Sequence, residues 1–239
     1  MSSFKKVSVF LKNICILERF LYSNANKSTT RMNTKLSILF IVLLSITACT
    51  LFSGGNKQKV VLPQEINQWA VTAKASSAFG GISGQNKDDQ SPYAATGEPD
   101  VKVCDDDTHA WMAESENDGL QWLELNYPQV VFVSKINIRE SYNPGAVVRV
   151  ELLNKSDEDY PYYVTVWESK DRNKLCPGSL ALNLEQKEGN ITMLMSSFKT
   201  DTVRITINTD IEGFHEIDAV ELIGYAQKWY YYNNTLFIE

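Results

Sequence analysis

The sequence predicts an all-β domain, a β-sandwich or barrel, carried behind an N-terminal export segment. Three observations predict it. Short runs of alternating apolar and polar residues recur between residues 68 and 223. Clusters of Gly, Pro, Asn and Asp separate those runs. No stretch of ten or more residues shows convincing helical periodicity, beyond a weak signal around residues 193–198. Short, closely spaced strands with turn residues between them stack as two sheets or close into a barrel.

The first element is the export segment. Met32-Asn33-Thr34-Lys35 supplies a short positive head, residues 36–46 carry no charge, and Ile46-Thr47-Ala48 leads into Cys49. A basic start, a short apolar run and small residues before a cut make up a signal peptide. The run falls short of the roughly 20 apolar residues that a spanning helix needs. Ile46-Thr47-Ala48-Cys49 resembles the bacterial lipobox, which implies that Cys49 is acylated and anchors the mature chain to a membrane of the cell envelope, inner or outer. The alternative is cleavage by the general signal peptidase, with Cys49 incidental. Residues 1–31 hold Lys5, Lys6, Lys12, Arg19, Lys27 and Arg31 and no second export pattern. Met32 is therefore the expected initiator and 1–31 an upstream extension; a long basic head is the alternative.

The expected segments are thus a signal peptide at 32–48, an anchor and linker at 49–65, a β-sandwich at 66–225 and an aromatic tail at 226–239. Removing residues 1–48 takes out seven of the 23 basic residues and one of the 29 acidic ones, leaving a net charge of −12. Such a surface argues against nucleic acid or anionic lipid headgroups as partners.

Behind the linker the strand candidates follow in order. Residues 68–75 alternate, with Trp69, Val71, Ala73 and Ala75 expected on one side. Residues 76–107 are rich in Gly, Ser, Asn and Asp and read as turns and loop. Residues 120–127 place Leu123 and Leu125 opposite Trp122 and Glu124, and a separate strand at 130–138 aligns Phe132, Ile136 and Ile138. Residues 147–153, 162–167, 203–207 and 217–223 complete the series. The tail from Trp229 to Ile238 either pairs as an extra strand, docks on the sandwich, or serves as a binding tip.

Cys104 and Cys176 remain after the anchor cysteine. Export puts them in an oxidising compartment, where pairing is the default expectation; two free buried thiols are the alternative.

Three stretches are more specific than composition: residues 94–100 (AATGEPD), 141–147 (SYNPGAV) and 216–222 (EIDAVEL), with 121–125 (QWLEL) between them. In this order they resemble the discoidin-like, galactose-binding-like β-sandwich superfamily, which includes the coagulation factor C-type domains and many carbohydrate-binding modules. The resemblance covers residues 68–224. It implies a jelly roll with ligand loops at one end and a structural Ca²⁺ between an early loop and a late acid. The matching candidates are Asp100, Asp105, Asp107 and Thr108 with Glu221, in keeping with the oxygen ligands that Ca²⁺ prefers. The alternative is a solvated acidic turn at 105–107 with Glu221 paired to Lys or Arg. Tyr142, Asn143, Phe214 and His215 are the candidate ligand-binding residues, joining apolar planes to hydrogen-bonding groups. Against that, Asn143-Pro144-Gly145 also reads as a tight turn, with Phe214 packing beneath it.

Catalytic motifs are scarce. There is no HExxH and no phosphate-binding loop, and Gly80-Gly81-Ile82-Ser83-Gly84 lacks the spacing of a nucleophile elbow. The expected function is a non-catalytic ligand-binding lipoprotein that takes a glycan or cell-wall component. The alternative is a structural or protein-interaction lipoprotein holding a partner envelope protein.

Overall fold

The computed structural model describes residues 63–170 and 174–239, which lie in the second of two compact units, 62–239. The signal peptide and Cys49 lie outside the described residues. Among the described residues no helix is long and apolar enough to cross a membrane.

The strands are β1 (Glu65–Trp69), β2 (Thr72–Ala75), β3 (Trp111–Met112), β4 (Leu120–Tyr142), β5 (Val147–Asn154), β6 (Tyr162–Glu168), β7 (Gly178–Asn183), β8 (Gln186–Glu188), β9 (Ile191–Met193), β10 (Lys199–Asn208), β11 (Glu216–Tyr225), β12 (Trp229–Tyr232) and β13 (Thr235–Ile238). The fold is an all-β jelly-roll sandwich, and β4 organises it. Its first half pairs with β2 on one side and β10 on the other, and β10 leads on to β5 and β6. Its second half pairs with β11 and β7, and β11 carries β1 and β3 on its far edge. The two halves of β4 thus belong to two layers.

Leu123, Leu125, Val150, Leu152, Val203 and Ile205 from the first layer form one buried cluster with Ile136, Ile138, Leu182, Val220 and Leu222 from the second. Alternation produces this: side chains at every second position face the same way. Burying such side chains is worth roughly 1.5–3 kcal/mol each, an upper estimate before chain entropy is set against it. Trp111 is fully buried, its indole N–H donating to the Ser77 carbonyl at 3.1 Å.

Three expectations are corrected. Residues 68–75 are two strands, β1 and β2, in different layers; the crossing breaks the alternation, so Ala70 is buried and Val71 exposed. The expected strands 120–127 and 130–138 are one, because the chain passes from one layer to the other without a turn. Residues 193–198 hold no helix: Met193 ends β9 and the rest is irregular.

The tail folds into a β12–β13 hairpin that pairs with β9, and β9 with β8, in a separate four-stranded sheet. Met193, Met195 and Trp229 are the centre of its own small core. Gly224 of β11 sits against β4, where a Cβ would come within 2.4 Å of the Phe132 carbonyl. No larger residue fits at that position.

The outer face of the first layer carries a charge ladder. Glu124, almost fully buried, meets Lys74 at 2.8 Å and Arg204 at 2.7 Å and accepts from the Tyr163 hydroxyl. Burial would raise the Glu124 carboxyl, but the bonds from Lys74, Tyr163 and Arg204 outweigh it and hold it below its ordinary value. The Arg204 guanidinium lies over the rings of Tyr163 at 3.7 Å and Trp122 at 4.6 Å.

Cys104 and Cys176 form a disulfide across 72 positions, with Cα atoms 5.2 Å apart. A loop of that length is worth roughly 4 kcal/mol in the chain-entropy model. Replacing both cysteines with serine is expected to lower the melting temperature by on the order of 10 °C, at about 2–4 °C per kcal/mol for a domain of this size. A thermal melt unchanged within 2–3 °C, about the effect of 1 kcal/mol, would show that the bridge does not hold the fold.

Candidate functional site

The site begins with a loop tied down by buried acids. Asp218 and Glu216 lie at the start of β11, fully shielded from solvent. The Asp218 carboxylate accepts the backbone N–H of Asp100 at 3.2 Å and of Val101 at 3.3 Å. The Glu216 carboxylate accepts the N–H of Asp107 at 3.1 Å, the Ser141 hydroxyl at 3.1 Å and the Gln90 amide at 3.4 Å. Gln90 also donates to Asp106 at 2.6 Å. Burial, aided by Asp106, outweighs the donors and pushes Glu216 up to about 8. Asp218 is pushed up to about 6, again chiefly by burial, with the N–H groups of Asp100 and Val101 opposing. The disulfide ties the same loop to the segment entering β7.

Held there, Pro99, Val101 and Lys102 wall one side of a groove of about 540 Å³ on the outer face of the second layer. Its floor comes from the strands: Trp69, Glu221 and Asn137 stand in one cross-strand row, and Arg139 stands opposite Ser179 in the next. These positions alternate with the core residues Ile136, Ile138, Val220 and Leu222, which is why they face outward. Glu221 accepts from the Asn137 amide at 2.6 Å. Arg139 Nε is buried with no hydrogen-bond partner among the described residues. An aromatic plane, an amide, a carboxylate, a hydroxyl and two cations suit non-covalent recognition, and the lining contains neither histidine nor cysteine.

The expected ligand residues lie elsewhere, in two loops at one end of the sandwich. Asn143, at φ 44°, donates through its amide to the Glu212 carbonyl at 2.8 Å. Its own carbonyl lies 2.6 Å from His215 Nδ1, and the Ile211 carbonyl 3.1 Å from Nε2. His215 is buried with its two ring nitrogens beside these two backbone carbonyls, so its place in the geometry is between the loops. Gly213 permits this approach: at φ 89°, a Cβ there would come within 2.9 Å of the Asn143 amide. Phe214 packs edge-on against Phe79 at 6.0 Å, and Tyr142 is half-buried opposite Glu216.

The expected metal ligands do not converge. Asp107 bonds His109 at 2.7 Å, Asp105 accepts the N–H of Asp106, Asp100 faces Lys87 at 3.6 Å, and the Thr108 carbonyl accepts from the Gln90 N–H. Among the described residues no three His, Cys, Asp or Glu side chains gather so as to hold a metal ion. Glu221 points into the groove, while Glu216 and Asp218 meet the early loop, five and three residues before it.

Reading the sequence missed Asn137, Arg139 and Ser179, and it placed Trp69 in a core stripe. Asn137 and Arg139 interrupt Ile136 and Ile138 at alternate positions, a visible sign of an outward face. That this face has a wall depends on the distant loop.

A family model described as pappalysin-1, SD scarf domain, C-terminal, matches residues 61–232, and the chain belongs to that family. No curated protein matches the chain. Solved structures similar to it include a chitosan-binding module of a chitosanase/glucanase from Paenibacillus sp. IK-5, at 13% identity over 63% of this chain and 92% of that one, TM-score 0.43. A family 32 carbohydrate-binding module from C. perfringens NanJ, in complex with galactose, shares 18% identity over 66% of this chain and 99% of that one, TM-score 0.43. A fucolectin from striped bass serum (Morone saxatilis) shares 11% over 65% and 47%, TM-score 0.44.

The buried acids give the domain a pH dependence. Glu216 and Asp218 hold protons in the folded state that the unfolded chain, with ordinary carboxyls, has released. Their contribution is therefore full at pH 4 or below and is lost as the pH rises through about 6 and then about 8. The melting temperature is expected to fall between pH 5 and pH 8.5 by on the order of 10 °C, from roughly 5 kcal/mol of linkage at about 2–4 °C per kcal/mol. Glu216→Gln should flatten most of that slope in thermal melts across the range. A wild-type curve already flat would show that the acids are not protonated when buried.

Proposed function

We propose that this domain is a non-catalytic, saccharide-binding module displayed on a bacterial cell envelope through a lipid on Cys49. The observation that carries the reading is the groove, with Trp69 at one end, Arg139 and Ser179 at the other, and Asn137 and Glu221 between them. Sugars present C–H faces that pack on an indole and hydroxyls that pair with amides and carboxylates. A volume near 540 Å³ lies within the roughly 300–1,000 Å³ common for small-ligand sites. Strands fix the floor, so little ordering cost accompanies binding. The expected tether at 49–65 would let the module stand off the membrane. The alternative, an interaction lipoprotein, is favoured by the C-terminal hairpin, where Tyr232, Phe237 and Ile238 remain exposed.

Trp69→Ala is expected to weaken binding to purified envelope glycans by roughly tenfold, with the melting temperature preserved, since Trp69 stands outside the main core. Binding that survives Trp69→Ala but disappears in Tyr142→Ala and Phe214→Ala would move the site to the end loops. Anchoring is tested separately: Cys49→Ser should abolish labelling with a palmitate analogue, and labelling at the wild-type level would remove the lipid from the proposal.

A further inference from the structure

We infer that the groove selects a saccharide carrying a carboxylate, of the uronic acid class, with Arg139 as the residue that reads the acid; this rests on the saccharide reading above. Three buried side-chain atoms lack a hydrogen-bond partner among the described residues: Arg139 Nε, Arg149 Nε and Trp229 Nε1. Arg149 has the Glu151 carboxylate at 3.4 Å, and Trp229 belongs to the small core of the C-terminal sheet. Arg139 opens on the groove, and the protein supplies no acceptor for its Nε. Leaving a buried donor unpaired is costly, more so on a charged group. The contrast with Arg204 is direct, since that guanidinium is saturated by Glu124 and two aromatic rings.

The remaining lining narrows the ligand. A guanidinium presents a planar fork that matches a carboxylate two bonds at a time. Lys102 adds a second positive charge at the exposed wall, and Glu221 adds a negative one, so the lining carries one net positive charge. That balance suits one anionic group of the ligand in contact with the guanidinium, and the planar fork favours a carboxylate in that place. Glu221 receives the Asn137 amide, which leaves its second oxygen and the Asn137 carbonyl as acceptors. Those acceptors match donors on the ligand, which sugar hydroxyls provide and a plain fatty-acid carboxylate does not. Trp69 lies two strands from Asn137, about 10 Å away at the usual strand spacing. Sugar units in sequence would span from the indole to the guanidinium, stacking at one end and presenting the acid at the other.

The test is calorimetric titration of the full-length chain with oligomers of galacturonate, glucuronate and mannuronate, each beside its carboxyl-reduced neutral counterpart and a sulfated neutral oligomer. At least one uronate is expected to bind tenfold or more tightly than its reduced form and than the sulfated oligomer. Arg139→Gln should abolish the preference, bringing that uronate's affinity to within about twofold of the reduced form's when both are titrated into the variant. Lys102→Gln, a change at an exposed position, should weaken uronate binding by a smaller factor that shrinks with added salt. Equal binding of uronates and reduced forms would overturn the carboxylate inference and leave saccharide binding standing. Tighter binding of the sulfated oligomer would overturn it in favour of another anion, and binding of no oligomer at all would overturn both readings.

Discussion

Strand β4 runs for 23 residues and belongs to both layers of the sandwich. Its first half carries Leu123 and Leu125 into the core from one side, and its second half carries Ile136 and Ile138 into it from the other. Within its sheet, β2, β7, β10 and β11 pair with β4 directly, β1 and β3 are added through β11, and β5 and then β6 through β10. A single strand can serve two stacked sheets only by bending between them, and Pro128, exposed and in the middle of the crossing, is compatible with that bend. The outward residues of the two halves therefore fall on opposite surfaces of the domain. Glu124 joins a charge ladder on one, and Asn137 and Arg139 line a groove on the other.

Buried carboxyls fare in opposite ways in the two layers. Glu124 has cations within 3 Å, which outweigh its burial and keep it ionised. Glu216 and Asp218 have amides, a hydroxyl and an adjacent acid but no cation, and burial raises both. A buried carboxyl without a counter-charge meets the cost of desolvation by holding its proton longer. The hydrogen bonds of Glu216 and Asp218 to the backbone of Asp100, Val101 and Asp107 hold the irregular stretch at 98–107 as a wall. The disulfide restrains the same stretch from a second direction. The groove is thus the product of a polar clamp, whereas the sheet beneath it is the product of apolar burial.

The functional reading follows from that division. Strands provide a rigid floor of alternating polar side chains, and a loop brought from more than a hundred residues away in sequence provides the side wall. The residues collected there have the chemistry of recognition, with an aromatic face, paired hydrogen-bonding groups and an arginine whose Nε the fold leaves unpaired. The end loops, where His215 is buried between two carbonyls, are organised as a joint.

Much of the architecture was legible in the residues themselves. Alternation identified the inward faces of Leu123 and Leu125, turn residues bounded the strands, and the expectation of an oxidising compartment pointed to the pairing of Cys104 with Cys176. These are local properties, or properties of the compartment, and a chain displays them without folding. The order of AATGEPD, SYNPGAV and EIDAVEL likewise pointed to the fold that the structure has. The site was less legible. Whether Glu216 or Glu221 meets the early loop depends on which face each takes after the bulges in the β11–β4 pairing, and a shift of one residue exchanges the faces. Residues 68–75 look like one alternating strand, yet they change layers at Ala70, which leaves Trp69 beside Glu221 in the groove. The sequence by itself determined that this chain is all-β, that Leu123, Leu125, Ile136 and Ile138 face its core, and that Cys104 and Cys176 were candidates for pairing. Only the tertiary structure decided that Trp69, Asn137, Arg139 and Glu221 share one surface beneath the 98–102 loop, because cross-strand register and long-range hydrogen bonds bring them together, and neither is written in any local pattern.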